Sequence, residues 1–345
     1  MRAPAPHPPL RTVMKAFVVE HYGKDGFRAA EVPAPEVGDA DVLVKVSAAG
    51  INPLDKMVRN GEFKRLLKYR TPFVLGHDVA GVVTRVGAAV RDFQVGDEIY
   101  ARPRDLRIGT FAEYIAIDQH DLAPKPTSLT LHEAAAVPLV ALAAWQALVD
   151  RAHVRPGQKV LVHAGSGGLG STVIQLAKHL GATVATTTSG KNAELVRSLG
   201  ADVVVDYTKE DFTEILSGYD VVLDSRGGET LERSLTVLKP GGQAIGVTGP
   251  PDPAFANQLG APKFIGVAMG LLSRKVRKQA RQLGVSYSFL FMHADGAQLR
   301  ELAALYDAGH LRPVIDNTFP FDQTVEALAY VEHGHANGKV VITLD

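Results

Sequence analysis

Short apolar runs separated by polar turns dominate the chain from Met14 to about Pro126. The runs are rich in valine, isoleucine and aromatic residues, and glycine, proline and aspartate stand between them. Valine, isoleucine and aromatic residues favour half-buried β-strands, whereas glycine, proline and aspartate favour turns. The pattern predicts a β-rich domain with a partly open antiparallel sheet, whose strands include KAFVVEHY, VLVKVSAAGI, VAGVVTRVG, GDEIY and FAEYIAI.

The hydrophobic pattern changes at about Thr127. The apolar stretch Ala134–Val149 predicts a buried helix, because it is shorter than the roughly 18–20 residues that span a bilayer and contains Pro138. After it, short apolar strands alternate with amphipathic helices, which is typical of a parallel sheet covered by helices on both faces. The fold class is therefore α/β with a doubly wound sheet, whose predicted strands lie at 159–163, 184–189, 202–207, 220–225 and 243–249.

Glycines mark the ends of the helices in this region. Gly200, Gly218 and the turn 239–242 follow predicted helices, and glycine readily adopts the left-handed conformation that closes a helix. Farther on, SYSFLFM at 286–292 predicts a strand at the edge of the sheet, and the final KVVITLD predicts a strand that returns to the first domain. An apolar edge strand can pair with its symmetry mate, so we expect a homodimer. Coverage of this edge by the basic helix 272–282 is the alternative.

A glycine loop lies at the junction of a predicted strand and a predicted helix. Gly165, Gly167 and Gly170 match G-x-G-x-x-G within KVLVHAGSGGLGSTVIQLAKHL. The three glycines would allow a tight turn, close approach to a pyrophosphate and close packing of helix on strand. The helix N-terminus would then face the phosphates with free N–H groups. The strand and helix context favours a dinucleotide site over a simple turn, and its predicted residues are Gly165, Ser166, Gly167, Gly168, Leu169 and Gly170.

The next strand indicates which nicotinamide cofactor is bound. About 20 residues beyond the glycine loop, NAD enzymes place an acid on the ribose 2′-OH. This chain has Thr188-Ser189-Gly190-Lys191 there, so Lys191 can add a charge-assisted bond to a 2′-phosphate. The segment predicts NADPH, and an ordinary solvated loop is the alternative.

Composition and charge exclude several classes of protein. The chain has 37 basic and 37 acidic residues, which gives no indication of a nucleic-acid partner. It contains no cysteine, so thiolate nucleophiles and cysteine-ligated zinc are excluded. The basic run 272–282 predicts a solvated helix face, with attraction of an anionic cofactor or of a membrane surface as the alternatives. Residues 1–13 predict a disordered leader without a secretory signal, and a transit peptide is the weaker alternative. We expect a cytoplasmic protein without stable membrane insertion.

Several segments together resemble the medium-chain dehydrogenase/reductase superfamily, in its zinc-free quinone oxidoreductase branch. They are AAGINPLD, LGHDVAGVV, GTFAEYIAI, AVPLVALAAWQAL, GSGGLGS, SLGADVVVDY, LKPGGQAIGVTG, GHLRPVID and HANGKVVITL. The resemblance implies a GroES-like catalytic domain at 14–126 plus 293–345, with a Rossmann domain inserted at 127–292. It also implies cofactor contacts from Ser189 and Tyr207, and from Gly246, Val247 and Thr248.

The same resemblance directs attention to Asn52. Zinc-dependent relatives carry a cysteine at this place and a His-Glu pair where this chain has His77-Asp78, so no metal site is expected. An amide can donate a hydrogen bond without titrating, and Asn52 is the predicted donor to the acceptor's carbonyl oxygen. A cap for the turn before Pro53 is the alternative role. Met57 and Ala143 replace hydroxyl-bearing residues of many relatives, which leaves the proton donor undetermined.

These observations predict a zinc-independent oxidoreductase that uses NADPH to reduce quinones or the C=C bond of α,β-unsaturated carbonyls. The partner is a small electrophilic acceptor: an enal, an enone or a quinone. The alternative is an NADPH-binding sensor or partner-binding protein with little or no catalysis. A zinc alcohol dehydrogenase is disfavoured by the missing cysteine.

Overall fold

Two large sheets organise the chain in this computed structural model, which describes residues 12–334 and 336–344. The strands are β1 Val13–Val19, β2 Phe27–Pro33, β3 Asp41–Ile51, β4 Phe73–Val74, β5 Val79–Val86, β6 Glu98–Ala101, β7 Tyr114–Asp118, β8 Leu122–Pro124, β9 Lys159–Val162, β10 Thr183–Thr188, β11 Val203–Asp206, β12 Tyr219–Asp224, β13 Leu238–Gly246, β14 Ser286–Phe289, β15 Ile315–Pro320 and β16 Lys339–Thr343. The α-helices are α1 Pro53–Arg59, α2 Leu131–Ala135, α3 Pro138–Trp145, α4 Gly168–His179, α5 Ala193–Ser198, α6 Phe212–Ile215, α7 Gly228–Ser234, α8 Pro253–Gln258, α9 Lys263–Leu272, α10 Arg274–Gln282, α11 Gly296–Asp307 and α12 Thr324–Glu332.

The six-stranded sheet is parallel and doubly wound. Its order is β11-β10-β9-β12-β13-β14, so the chain reverses its direction of travel across the sheet between β9 and β12. Ligands bind at such a switch point, beyond the carboxyl ends of the strands. The central strands β9 and β12 are almost entirely buried, as expected of a sheet covered on both faces. The predicted doubly wound fold is confirmed.

The seven-stranded sheet combines distant parts of the chain. Its order is β15-β16-β3-β5-β6-β8, and β7 also pairs with β3. The last strand β16 lies antiparallel to β3, with Val341 opposite Gly50, which confirms that the C-terminal strand returns to the first domain. A smaller sheet, β2-β1-β4, packs beside it. The proposed domain boundaries after residues 126 and 292 stay predictions.

Several predicted elements differ from the observed ones. The helix predicted over Ala134–Val149 is divided into α2, α3 and a π-helical turn at Gln146–Arg151, because Pro138 cannot continue the hydrogen bonds of α2. The turn predicted at 239–242 lies within β13, where the pairing register with β12 shifts. Gly200 and Gly218 do have positive φ angles, of 106° and 71°, as expected after helices.

The N-terminal leader was predicted over residues 1–13, most of which lie outside the described residues. Its last two residues are ordered, which corrects that prediction. Val13 pairs with Pro33 in the β1–β2 ladder, and the carbonyl of Thr12 accepts a hydrogen bond from Ala34 N at 3.2 Å. Ladder pairing therefore begins before Met14.

The edge position of SYSFLFM is confirmed, although the strand ends at Phe289. Within the described part of the chain, β13 is the strand that pairs with β14. The described residues include no helix long and apolar enough to cross a bilayer.

Candidate active site

A cleft of about 900 Å³ lies between the two large sheets. One wall comes from the parallel sheet, through the glycine loop and the carboxyl ends of its strands. The other wall comes from α1 and from the segment that leads into β16. The inner surface is largely apolar, with contributions from Met57, Phe63, Leu66, Leu139, Ala143, Phe255, Phe289, Phe291 and Met292.

The glycine loop has the geometry that the motif predicts. A Cβ at Gly165 would lie 2.0 Å from Thr186 Oγ1, and one at Gly170 would lie 2.3 Å from Ala164 O. These two glycines are therefore required by packing. A Cβ at Gly167 would approach no described atom closer than 3.4 Å, so that glycine leaves space on the cleft side. Because Gly167 is the N-cap of α4, free N–H groups face the cleft there.

The end of β10 holds the segment predicted to select NADPH. Ser189, Lys191 and Tyr207 all line the cleft, and Tyr207 is 64% exposed. An acid does stand nearby: Asp206 would lie 2.5 Å from a Cβ at Gly190. Its side chain accepts a hydrogen bond from the Thr208 hydroxyl at 2.7 Å, which lowers the pKa of Asp206. Asp206 itself is not among the residues that line the cleft.

Asn192 was missed by the sequence analysis. Its amide nitrogen donates to Ser166 Oγ at 3.1 Å and to Ser189 Oγ at 3.2 Å. This one side chain thus ties the glycine loop to the end of β10. A single asparagine in a polar turn carries no distinctive signal, which is why the sequence did not reveal it.

Ten of the twelve predicted cofactor residues line the cleft: Ser166, Gly167, Gly168, Leu169, Gly170, Ser189, Lys191, Tyr207, Val247 and Thr248. The other two, Gly165 and Gly246, are buried behind it. A Cβ at Gly246 would lie 3.1 Å from the Tyr287 ring, so this glycine allows β13 and β14 to pack closely.

Asn52 lies at the floor of the cleft in a buried polar network. Its Nδ2 donates to Asp78 Oδ2 at 2.9 Å, and its Oδ1 accepts a hydrogen bond from the Lys339 ammonium. Lys339 Nζ also donates to Asp78 Oδ2, at 2.9 Å. Asp78 and Lys339 thus hold the two ends of the Asn52 amide and also bind each other. Among the described residues, Nδ2 has no second acceptor, so one N–H is left for a ligand.

Lys339 was also missed. It begins β16, and its side chain passes against Gly168 of the glycine loop, where a Cβ would lie 2.6 Å from Lys339 Cδ. The lysine is part of the segment HANGKVVITL, but a lysine before an apolar strand ordinarily predicts a solvent-exposed strand end. Its 5% exposure follows from the tertiary packing of two distant segments.

The ionisable side chains next to Asn52 contact one another. His77 Nδ1 lies 2.6 Å from Asp55 Oδ1, and its Nε2 has no partner among the described residues. A catalytic zinc needs three protein ligands. The Asp78 carboxylate, however, is already shared by Lys339, Asn52 and the backbone N–H of Leu139 at 2.7 Å. The described residues contain no group of three potential metal ligands.

Other titratable side chains near the site have structural partners. His163 Nδ1 lies 3.0 Å from Thr187 Oγ1 and Nε2 lies 2.8 Å from Ser234 Oγ. Burial lowers the pKa of His163 to about 4, so the ring is neutral at physiological pH. The Tyr100 hydroxyl donates to Leu299 O at 2.5 Å, and neither Tyr100 nor Tyr114 lines the cleft.

A doubly wound sheet whose glycine loop faces an interdomain cleft is the arrangement of nicotinamide-dependent oxidoreductases. Residues 38–127 match the family model described as "Alcohol dehydrogenase GroES-like domain", and residues 199–342 match that of "Zinc-binding dehydrogenase".

Relatives match nearly the whole chain. The zebrafish (Danio rerio) protein "NAD(P)H oxidoreductase RTN4IP1, mitochondrial" is 36% identical, over 97% of this chain and 92% of the relative. The Arabidopsis thaliana "NADPH-dependent alkenal/one oxidoreductase, chloroplastic" is 38% identical, over 95% of this chain and 79% of the relative. The structure of the quinone oxidoreductase from Coxiella burnetii superposes with a TM-score of 0.84 at 30% identity, over 96% of this chain and 100% of that one.

The chain therefore belongs to the medium-chain dehydrogenase/reductase superfamily, in its branch of quinone oxidoreductases and enone reductases. The resemblance stated from the sequence is confirmed, including the GroES-like domain and the Rossmann-type domain. The chain is an oxidoreductase of this superfamily.

Proposed function

We propose that the protein reduces quinones, or the C=C bond of α,β-unsaturated carbonyl compounds, with NADPH and without zinc. One observation carries the proposal: the glycine loop and the Asn52 amide line the same cleft. The side chain of Lys339 lies between them, since it contacts Gly168 of the loop and donates to the Asn52 amide oxygen. A dinucleotide held by the loop would reach toward Asn52. Relatives named as an alkenal/one oxidoreductase and a 2-methylene-furan-3-one reductase, each 38% identical, support this class of acceptor.

The chain's own residues hold and polarise the reactants. NADPH, when bound, supplies the hydride. The free N–H groups at the start of α4 would hold its phosphates, and Ser189, Lys191 and Tyr207 would hold the 2′-phosphate. The remaining N–H of Asn52 donates to the acceptor's carbonyl oxygen, where negative charge develops. Lys339 adds a positive charge behind that amide, and the apolar wall excludes water.

The acceptor has to be activated. A few hydrogen-bond donors stabilise the whole developing charge, and a delocalised enolate or hydroquinone anion requires less stabilisation than a simple alkoxide. Conjugated enals, enones and quinones are therefore the expected substrates, and saturated alcohols and ketones are expected to be poor ones.

The decisive experiment is a substrate panel. Consumption of NADPH is followed at equal concentrations of enals, enones, quinones and matched saturated carbonyls. Turnover of conjugated acceptors alone supports the proposal. If NADPH binds tightly and no acceptor is reduced, a sensor or partner-binding protein becomes the better description.

Zinc independence is part of the proposal. Its support is the Lys339 ammonium, which lies 2.9 Å from Asp78 Oδ2, so a cation of the protein's own already pairs with this buried carboxylate. Metal analysis after purification without chelator is expected to find substoichiometric zinc that does not correlate with activity. A stoichiometric zinc whose removal abolishes turnover would contradict it.

The homodimer also stays a proposal, supported by the position of β14 at the sheet edge. Light scattering at micromolar concentration is expected to give twice the chain mass of 36.9 kDa. The cytoplasmic location stays a prediction too, and the names of two relatives refer to mitochondria and chloroplasts.

A further inference from the structure

Helix α9 exposes an apolar face to solvent. Phe264 is 69% exposed, and Val267 and Leu271 are each 65% exposed, as is Leu272. The first three lie at i, i+3 and i+7 and so share one face of the helix. The opposite face carries Met269, which is 4% exposed and packs in a core cluster. Single exposed apolar side chains are ordinary, but a contiguous group marks an interaction site.

The charge along this part of the sequence is one-sided, although Lys275 of α10 pairs with Glu232 of α7 at 2.7 Å. From Pro253 to Ala294 the sequence has six basic residues and no acid, in a chain whose total charges balance at 37 and 37. In α10, Val276 and Ala280 are buried, whereas Arg274, Lys278 and Arg281 are exposed at i, i+4 and i+7. These three cations share the outer face of α10, directly after the apolar face of α9 along the chain.

We infer that α9 and α10 form a docking surface for an anionic lipid bilayer. Phe264, Val267, Leu271 and Leu272 enter the boundary between head groups and acyl chains, and Arg274, Lys278 and Arg281 meet lipid phosphates. An apolar helix face next to a cluster of cations has the chemistry of peripheral membrane attachment. The docking is independent of the reaction proposed above.

Charge argues against other occupants of this surface. In a two-fold dimer the same patch faces itself, so the cations of α10 would meet their own copies. The sequence of residues 1–11 has two arginines and no acid, which gives it no electrostatic attraction to the patch. A lipid surface supplies both the negative charge and the apolar phase that this combination requires.

The test is vesicle flotation of the full chain with phosphatidylcholine vesicles and with vesicles that also contain phosphatidylglycerol. We expect binding to the anionic vesicles only, with a steep decrease at high salt. The triple variant R274Q/K278Q/R281Q should bind on the order of 100-fold more weakly, since each cation near an anionic surface contributes about a fivefold factor. The triple variant F264S/V267S/L271S should lose at least about tenfold.

Matched control variants remove exposed arginines and exposed apolar side chains outside α9 and α10. R85Q/R155Q/R197Q neutralises three exposed arginines on other elements, and L106S/I215S replaces two exposed apolar side chains. Both should bind anionic vesicles as the wild type does. Unchanged thermal unfolding and unchanged turnover of a soluble acceptor show that the α9 and α10 variants are folded.

Three outcomes would overturn the inference. The wild type could fail to float with either vesicle, or it could float equally with both. Alternatively, the serine variant could lower the mass by light scattering while no vesicle binds, in which case the face is a contact between copies of the chain.

Discussion

Lys339 Nζ lies 2.9 Å from Asp78 Oδ2, and this ion pair is buried although the two residues are 261 positions apart in the chain. Asp78 directly precedes β5 and Lys339 begins β16, so tertiary packing alone brings the two charges together. Asn52 bridges them and faces the cleft. The geometry of the candidate oxyanion donor therefore depends on a charge pair at the base of the site.

The pair predicts a strong effect on stability. Removing one partner of a buried ion pair leaves an uncompensated charge, which typically costs about 3–5 kcal/mol. K339M and D78N should each lower the free energy of unfolding by about that amount in urea titrations. The double variant should recover most of the loss, because neither charge of the pair is left without its partner. The exposed pair Lys178–Asp202 is the control, for which K178M should cost less than about 1 kcal/mol. Additive losses in the double variant would show that the two charges do not interact.

Lys191 is expected to favour binding of NADPH over NADH. Its ammonium is exposed at the mouth of the cleft, where it can pair with a 2′-phosphate. K191A should weaken NADPH binding by about tenfold and leave NADH binding nearly unchanged, as measured by fluorescence titration. The control K209A removes a neighbouring lysine that pairs with Asp206 and is outside the cleft lining. Comparable dissociation constants of the wild type for the two cofactors would contradict the assignment.

The buried His163 ring is expected to make the free energy of unfolding depend on pH. The folded state holds the pKa of His163 at about 4, below its ordinary value of 6.5, because the ring is buried. Between these values the unfolded chain binds more protons, so the free energy of unfolding rises with pH across this window. This gain in the free energy of unfolding amounts to about 3 kcal/mol. It is complete above pH 6.5 and is lost as the pH falls toward 4. Urea titrations of H163N should show a flatter pH profile than the wild type.

The sequence predicted the fold well because its signals are local and repeated. Strand and helix periods, and glycines with a steric role such as Gly165 and Gly170, can be recognised from neighbouring residues alone. It also identified the polypeptide segments that line the cleft. Lys339 and Asn192 were missed, since Lys339 acts on Asn52 and Asp78 and Asn192 acts on Ser166, all of which are remote in the sequence. The division of the helix at Pro138 was underestimated because the surrounding apolar residues fit a continuous buried helix equally well.

Two truncations at the N-terminus are expected to differ in their effect on stability. A chain beginning at Thr12 keeps the whole β1–β2 ladder and should unfold at the wild-type temperature. A chain beginning at Met14 loses the bond between Thr12 and Ala34, which should cost about 1 kcal/mol. Both should bind NADPH like the full chain. Loss of cofactor binding in the Thr12 chain would show that residues 1–11 contribute to the fold or the site.

Asn52 carries the most direct prediction about catalysis. Its side chain is fixed by Asp78 and Lys339, so the remaining N–H is oriented before the acceptor arrives. Removing one preorganised oxyanion donor typically lowers turnover by roughly 10²–10³. N52A should therefore lose most of kcat on the best conjugated acceptor while its NADPH dissociation constant changes little, because the phosphates are held elsewhere. N257A, on the exposed side of α8, is the control for an asparagine outside the cleft. Wild-type turnover by N52A would mean that Asn52 only supports the start of α1, and the oxyanion donor would then have to be sought in the Lys339 ammonium.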